Sequence, residues 1–149
     1  MKFRLVTATL ILVLARSVVG IAVADEGIRQ ETVQFAKGAS SADIKGQIKG
    51  DATVDYVVRA AAGQTLSIKL QKTNAQNYFN VLPPASQGSA MFVGDSGENY
   101  SGVLPADGDY VVRVYLMRPA ARRGESSNYT VTVGVSGKAL APIAASGDA

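Results

Sequence analysis

Cysteine, histidine and tryptophan are all absent from the 149 residues. Without cysteine there is no disulfide framework, no thiolate nucleophile and no lipid-carrying cysteine for a bacterial lipoprotein anchor. Without histidine there is no Ser-His or Cys-His catalytic pair, and none of the common histidine-containing zinc sites. Charge is also scarce, at 18% of residues, while hydrophobic residues make up 47%, enough for a core. A chain of this length and composition is expected to form roughly one domain of about 100–150 residues rather than a disordered polymer.

The formal net charge of +3 has a local origin. Lys2 and Arg4 precede an apolar run from Leu5 to Leu14, and Ala22-Val23-Ala24 supplies a small-residue cleavage pattern before Asp25. Residues 1–24 are therefore expected to be a secretory signal peptide. A membrane anchor needs about 20 apolar residues, and Arg16 interrupts this run. Removing 1–24 takes away three bases (Lys2, Arg4, Arg16) and no acid, which leaves 25–149 with 12 basic and 12 acidic residues. A neutral mature chain lends no support to nucleic-acid binding, which draws its affinity from phosphate neutralisation. Export without cysteine leaves the fold to rest on packing alone.

The mature chain reads as all-β. Val33 and Phe35 begin a series of short apolar runs, each bounded by Gly, Asp, Asn or Pro. Ile44 and Ile48 follow, then Val54–Arg59 after Lys49-Gly50-Asp51, and Leu66, Ile68 and Leu70 alternating with polar residues. Tyr78–Leu82 ends at Pro83-Pro84, where a central strand cannot continue. Ala90–Val93, Tyr100–Leu104, Tyr110–Met117 and the alternating Tyr129–Val135 complete the set. Eight or nine strands this short need two faces to bury their apolar sides, so an antiparallel β-sandwich is expected over 25–137. The pentapeptide Asp-Tyr-Val-Val-Arg occurs at 55–59 and again at 109–113, as expected for similar strands in two halves of a sandwich. From Lys138 to Ala149 the composition predicts a loose C-terminal tail.

Catalytic equipment is sparse. Neither S-x-x-K nor G-x-S-x-G occurs. Asp107 and Asp109 flank Gly108, a pattern that suits a hairpin turn better than a carboxylate pair for glycoside cleavage. Gly94–Asn99 is rich in oxygen ligands but lacks EF-hand spacing and reads as a polar loop. Asn99-Tyr100-Ser101 and Asn128-Tyr129-Thr130 are glycosylation sequons that matter only in a eukaryotic host. No metal and no cofactor is expected, and no enzymatic activity.

One charge asymmetry stands out. Arg113, Arg118, Arg122 and Arg123 fall within 11 residues, running from a strand end into a Pro/Ala/Gly segment read as a loop. If Tyr110, Val112, Val114 and Leu116 face the core, then Arg113, Tyr115 and Met117 face outward. An exposed tyrosine leading to three loop arginines has the composition of a binding hot spot, and guanidinium groups favour an acidic target. The alternative is a solvated loop that uses arginine for solubility, with Arg113 paired to a strand neighbour.

Across roughly residues 33–136 the chain resembles the bacterial periplasmic inhibitors of goose-type (g-type) lysozyme. The likeness is carried by Val33–Gly38, Asp55-Tyr56, Ala62–Thr65, Asn77–Pro83 and Leu104–Tyr110. The more specific blocks are Tyr115-Leu116-Met117-Arg118, Ala121-Arg122-Arg123 and Asn128-Tyr129-Thr130. Ser96-Gly97-Glu98-Asn99-Tyr100 is similar to the short Ser-Gly-x-x-Tyr signature of lysozyme inhibitors. The resemblance implies a periplasmic β-sandwich that does no catalysis and blocks the lysozyme cleft, with g-type lysozyme as a protein partner and no retained membrane anchor. It implies that Arg118 and Arg122 reach the cleft with Tyr115 beside them, and it marks Arg123, Tyr56, Ser96 and Tyr100 as further contacts. A second likeness, through Gly63–Leu66 and Asp107–Val114, is to the small sandwich domains appended to secreted peptidases, which implies a carbohydrate- or matrix-binding module instead.

Overall fold

A computed structural model describes residues 27–84, 89–94 and 97–140. The expected signal peptide 1–24 lies outside them, as do Ser96 and residues 141–149. Eight strands run in the order β1 Ile28–Thr32, β2 Ser41–Lys49, β3 Thr53–Ala60, β4 Thr65–Lys72, β5 Asn77–Leu82, β6 Asn99–Val103, β7 Gly108–Leu116 and β8 Ser126–Ser136, with a short helix α1 Arg118–Arg122 before β8. They form two four-stranded sheets, β1-β3-β7-β5 and β2-β8-β4-β6. The result is a β-sandwich.

The alternation that suggested strands also assigns their faces. In β7, Tyr110, Val112, Val114 and Leu116 are buried while the residues between them are half-buried. Leu66, Ile68 and Leu70 of β4, Phe79 and Val81 of β5, and Tyr129, Val131 and Val133 of β8 fill the space between the sheets. Burial on this scale contributes roughly 1.5–3 kcal/mol for each large apolar side chain, which is the main support of a fold without disulfides. Tyr110 anchors its own corner, its hydroxyl donating to the Ala106 carbonyl at 2.7 Å.

Several expectations change. Val33 and Phe35 do not form the first strand. They follow β1, and the Val33 N–H bonds to Val57 O at 2.8 Å. β1 pairs parallel to β3, whereas every other pairing between strands is antiparallel. A parallel pair needs a crossover connection, and β2 in the opposite sheet is that crossover. Ala90–Val93 is not a strand but meets β5 through a single bridge, Val81 to Phe92.

The repeated pentapeptide has a geometric explanation. Its two copies are not in separate halves of the sandwich but are hydrogen-bonded neighbours, β3 and β7. Their antiparallel register sets Asp55 opposite Arg113 and Arg59 opposite Asp109. Each Asp of one copy therefore finds the Arg of the other. The inner pair is two-pronged, Arg113 Nε and Nη2 donating to the Asp55 carboxylate at 2.7 and 2.9 Å. The outer pair is exposed, at 3.3 Å. Asp107 accepts from the Ala62 N–H at 2.7 Å, so both turn carboxylates serve the fold.

Candidate functional site

The segment after β7 was expected to be a loop and is instead one helical turn, Arg118–Arg122. Pro119 stands at its start, where a missing N–H is harmless and φ is already helical. Its end is closed by Gly124, whose φ of +67° is open to glycine at little cost, with N–H bonds from Gly124 to Ala121 O and from Glu125 to Ala120 O at 2.9 and 3.1 Å. Ala120 and Ala121 turn into the core. The helix thus buries its two small residues and exposes its arginines.

Helical geometry separates the three arginines. Residues four apart lie only about 40° apart around a helix, so Arg118 and Arg122 project from one face, and Arg123 lies roughly 100° further round. Arg123 is held within the molecule by an ion pair to Glu125. Glu125 is gripped again by Asn74 Nδ2 at 3.2 Å, and these partners, Asn74 first and Arg123 next, hold its carboxyl below the ordinary carboxylate range. Among the described residues, Arg118 and Arg122 have neither an ion pair nor a side-chain hydrogen bond. Two like charges at this spacing oppose the helix by about 0.2–0.5 kcal/mol. Folding alone gives no reason for that arrangement.

Two loops fix where α1 sits. Met117 N–H donates to Gln76 O at 2.9 Å, joining the helix entry to the β4–β5 connection. The same connection carries Asn74, which also bonds Ser126 O at 3.2 Å. Gly50 N–H, from the β2–β3 turn, donates to Glu125 O at 2.8 Å. The β4–β5 connection is itself folded around Lys72, whose side chain is only 9% exposed. Its ammonium donates to Asn77 O at 2.7 Å, approaches Glu98 at 3.5 Å and sits 4.5 Å from the centre of the Tyr78 ring.

Next to α1, the outer face of the β1-β3-β7-β5 sheet continues the surface. Met117 is 36% exposed. Tyr115 is half-buried, stands in register with Tyr78 of β5, and donates its hydroxyl to Asn80 Oδ1 at 3.0 Å. Asn80 Oδ1 also accepts the Gly94 N–H at 3.0 Å, which fastens the β5–β6 loop to the same place. Gly94 lies so close to β5 that a Cβ there would fall 2.6 Å from Phe79 O.

The remaining sequence candidates are placed differently. Tyr56 is only 1% exposed and lies in the core, its hydroxyl 2.6 Å from that of Tyr129, so the expectation that it contacts a partner does not hold. The alternation of β3 puts it on the inner face. Tyr100 is half-buried with its ring 5.4 Å from that of Phe92, and burial raises its phenol above the ordinary value. Ser96 lies outside the described residues, between Gly94 and Gly97. Sequence reading passed over Asn80 and Glu125, although Glu125 two residues after Arg123 was a usable signal of local pairing.

Among the described residues there is no group of three or more His, Cys, Asp or Glu side chains able to hold a metal, and no helix long and apolar enough to cross a membrane. Fold and surface together define a β-sandwich that presents a pair of arginines, unpaired among the described residues, from a short helix at one end. No family model matches the chain. It is 33% identical over 106 residues to an inhibitor of g-type lysozyme from Escherichia coli (strain K12), an alignment covering 68% of this chain and 77% of that protein. The crystal structure of Aeromonas hydrophila PliG, a periplasmic lysozyme inhibitor of g-type lysozyme, is similar with a TM-score of 0.69 at 39% identity, covering 74% of this chain and 98% of that one. The Salmonella Typhimurium PliG structure is similar with a TM-score of 0.56 at 26% identity, covering 72% and 98%. The chain belongs to the family of g-type lysozyme inhibitors.

Proposed function

We propose that this protein is a non-catalytic periplasmic inhibitor of g-type lysozyme, and that Arg118 and Arg122 enter the enzyme's cleft with Tyr115 beside them. Family membership supports the inhibitor role and the periplasmic setting. The observation that carries the mechanism is the exposed pair of arginines on one face of α1, without a carboxylate partner among the described residues. Arg123, held by Glu125, is a minor contributor in this reading.

The chemistry follows from what glycoside cleavage requires. A carboxylic acid must give a proton to the leaving oxygen. A guanidinium set against that carboxyl favours its ionised form and lowers its pKa, so the proton donor is lost. The same side chain occupies the space of the sugar. Both effects are competitive with substrate, and neither needs a reactive group on the inhibitor. The biological consequence is protection of peptidoglycan.

The test is a titration of g-type lysozyme activity with the purified mature domain. Stoichiometric inhibition is expected, with little effect on chicken-type lysozyme. Arg118→Ala combined with Arg122→Ala should weaken binding by on the order of 2–5 kcal/mol while leaving thermal stability unchanged or slightly raised. Undiminished inhibition by the double variant would remove the arginine mechanism, and no inhibition by the wild type would remove the assigned partner.

A further inference from the structure

The β5–β6 loop and the Tyr115 strand approach the same surface from different parts of the sequence, and one side-chain atom touches both. Asn80 Oδ1 lies 3.0 Å from the Tyr115 hydroxyl and 3.0 Å from the Gly94 N–H. The backbone N–H can only donate, so the facing amide atom is the oxygen, and the Tyr115 hydroxyl must direct its hydrogen to that same oxygen. Asn80 is half-buried on the outer face of β5, one strand from Tyr115. Beyond Gly94 the loop runs through Gly97 and Glu98 into β6, with Glu98 O taking the Leu70 N–H at 2.9 Å and its carboxylate near Lys72.

We infer that Asn80 is a positioning residue for the inhibitory surface, holding the Tyr115 ring and the Gly94 backbone in one fixed arrangement before lysozyme arrives. This rests on the function proposed above. The physical reasoning is one of preorganisation. A tyrosine with its hydroxyl tied down loses less rotational freedom on binding, and a loop already fastened to the sheet does not have to be ordered at the interface. Two donors share one acceptor, so removing Asn80 takes a hydrogen bond from both segments at once, whereas removing the Tyr115 hydroxyl leaves the Gly94 bond in place. Gly94 packs closely on the same strand, since a Cβ there would lie 2.6 Å from both Phe79 O and Tyr78 Cβ.

The experiment compares wild type, Asn80→Leu, Tyr115→Phe and the double variant for their Kd against g-type lysozyme, and follows exchange of the Gly94 amide hydrogen in the free proteins. Asn80→Leu should bind about tenfold more weakly, Tyr115→Phe less so, and the double variant should lose less than the two single losses multiplied together. Gly94 exchange should accelerate in Asn80→Leu but stay slow in Tyr115→Phe and in Asn80→Asp, which keeps an acceptor oxygen. Wild-type affinity in a folded Asn80→Leu protein, multiplying losses in the double variant, or Gly94 exchange indifferent to Asn80 would each overturn the inference. Should Asn80→Leu not fold, fast Gly94 exchange in Asn80→Asp would overturn it and slow exchange would support it. A wild type that leaves lysozyme unaffected would instead overturn the proposed function, and the exchange arm reads the Asn80 tie independently of it.

Discussion

Tyr56 and Tyr129 meet across the middle of the sandwich, one from each sheet, with 2.6 Å between their hydroxyl oxygens. Each hydroxyl is the other's partner, so a single substitution leaves a buried polar group unsatisfied. Tyr56→Phe should therefore destabilise by about 1–3 kcal/mol, whereas Tyr56→Phe with Tyr129→Phe should cost less than the two single losses added together. Thermal or urea unfolding of the three variants checks this, and strict additivity would contradict it. Burial raises the phenol of Tyr56 and, more strongly, that of Tyr129. The protonated phenols are favoured by the folded state, so their contribution is intact below the ordinary value of 10.0 and is lost as pH climbs toward the raised folded values. In an ultraviolet titration these two phenols should ionise only with alkaline unfolding, after the ordinary tyrosine range. Their ionisation in the intact fold near pH 10 would show that the pair is more open to water than its burial states.

At the scale of the element, α1 decides the meaning of the arginine cluster. Arg-Pro-Ala-Ala-Arg-Arg-Gly contains a helix start and a helix stop, Pro in the first turn and Gly just past the last. Its lack of apolar periodicity over five residues hid the helix, because one turn has no room for a repeating pattern. Once helical, the segment pairs Arg118 with Arg122 and sends Arg123 to Glu125. The strand alternation was readable for the opposite reason. Nine residues in β7 are enough to show a period of two, and the face it assigns to Tyr110–Leu116 is the observed one. The parallel register of β1 was not readable, since partner choice is a long-range property and that strand is mostly exposed. Glu125 offers a test of the clamp on α1. With its carboxyl held below the ordinary 4.5, the clamp is present above that value and weakens as pH falls through the depressed one. A carboxyl NMR titration should give Glu125 a midpoint below 4.5. Asn74→Ala should raise that midpoint more than Arg123→Ala does. A midpoint unmoved by either variant would mean that Glu125 does not hold the helix.

For the whole molecule, a chain without cysteine, histidine or tryptophan builds a scaffold from apolar alternation and reinforces it with the pentapeptide's reciprocal Asp–Arg pairs. One end of that scaffold gathers α1, the β4–β5 connection and the β2–β3 turn, and the arginines are carried there without being needed by the fold. Missing catalytic groups suit the proposed task of occupying another enzyme's cleft. The clearest measure of that task is the coupling between Arg122 and the catalytic carboxyl of a g-type lysozyme, taken from a double-mutant cycle of Arg122→Ala against Glu→Gln at that carboxyl. If Arg122 faces that acid, the coupling energy should be about 1.5 kcal/mol or more, as for close charge pairs at protein interfaces. Independent losses, with a coupling within about 0.5 kcal/mol of zero, would contradict the account.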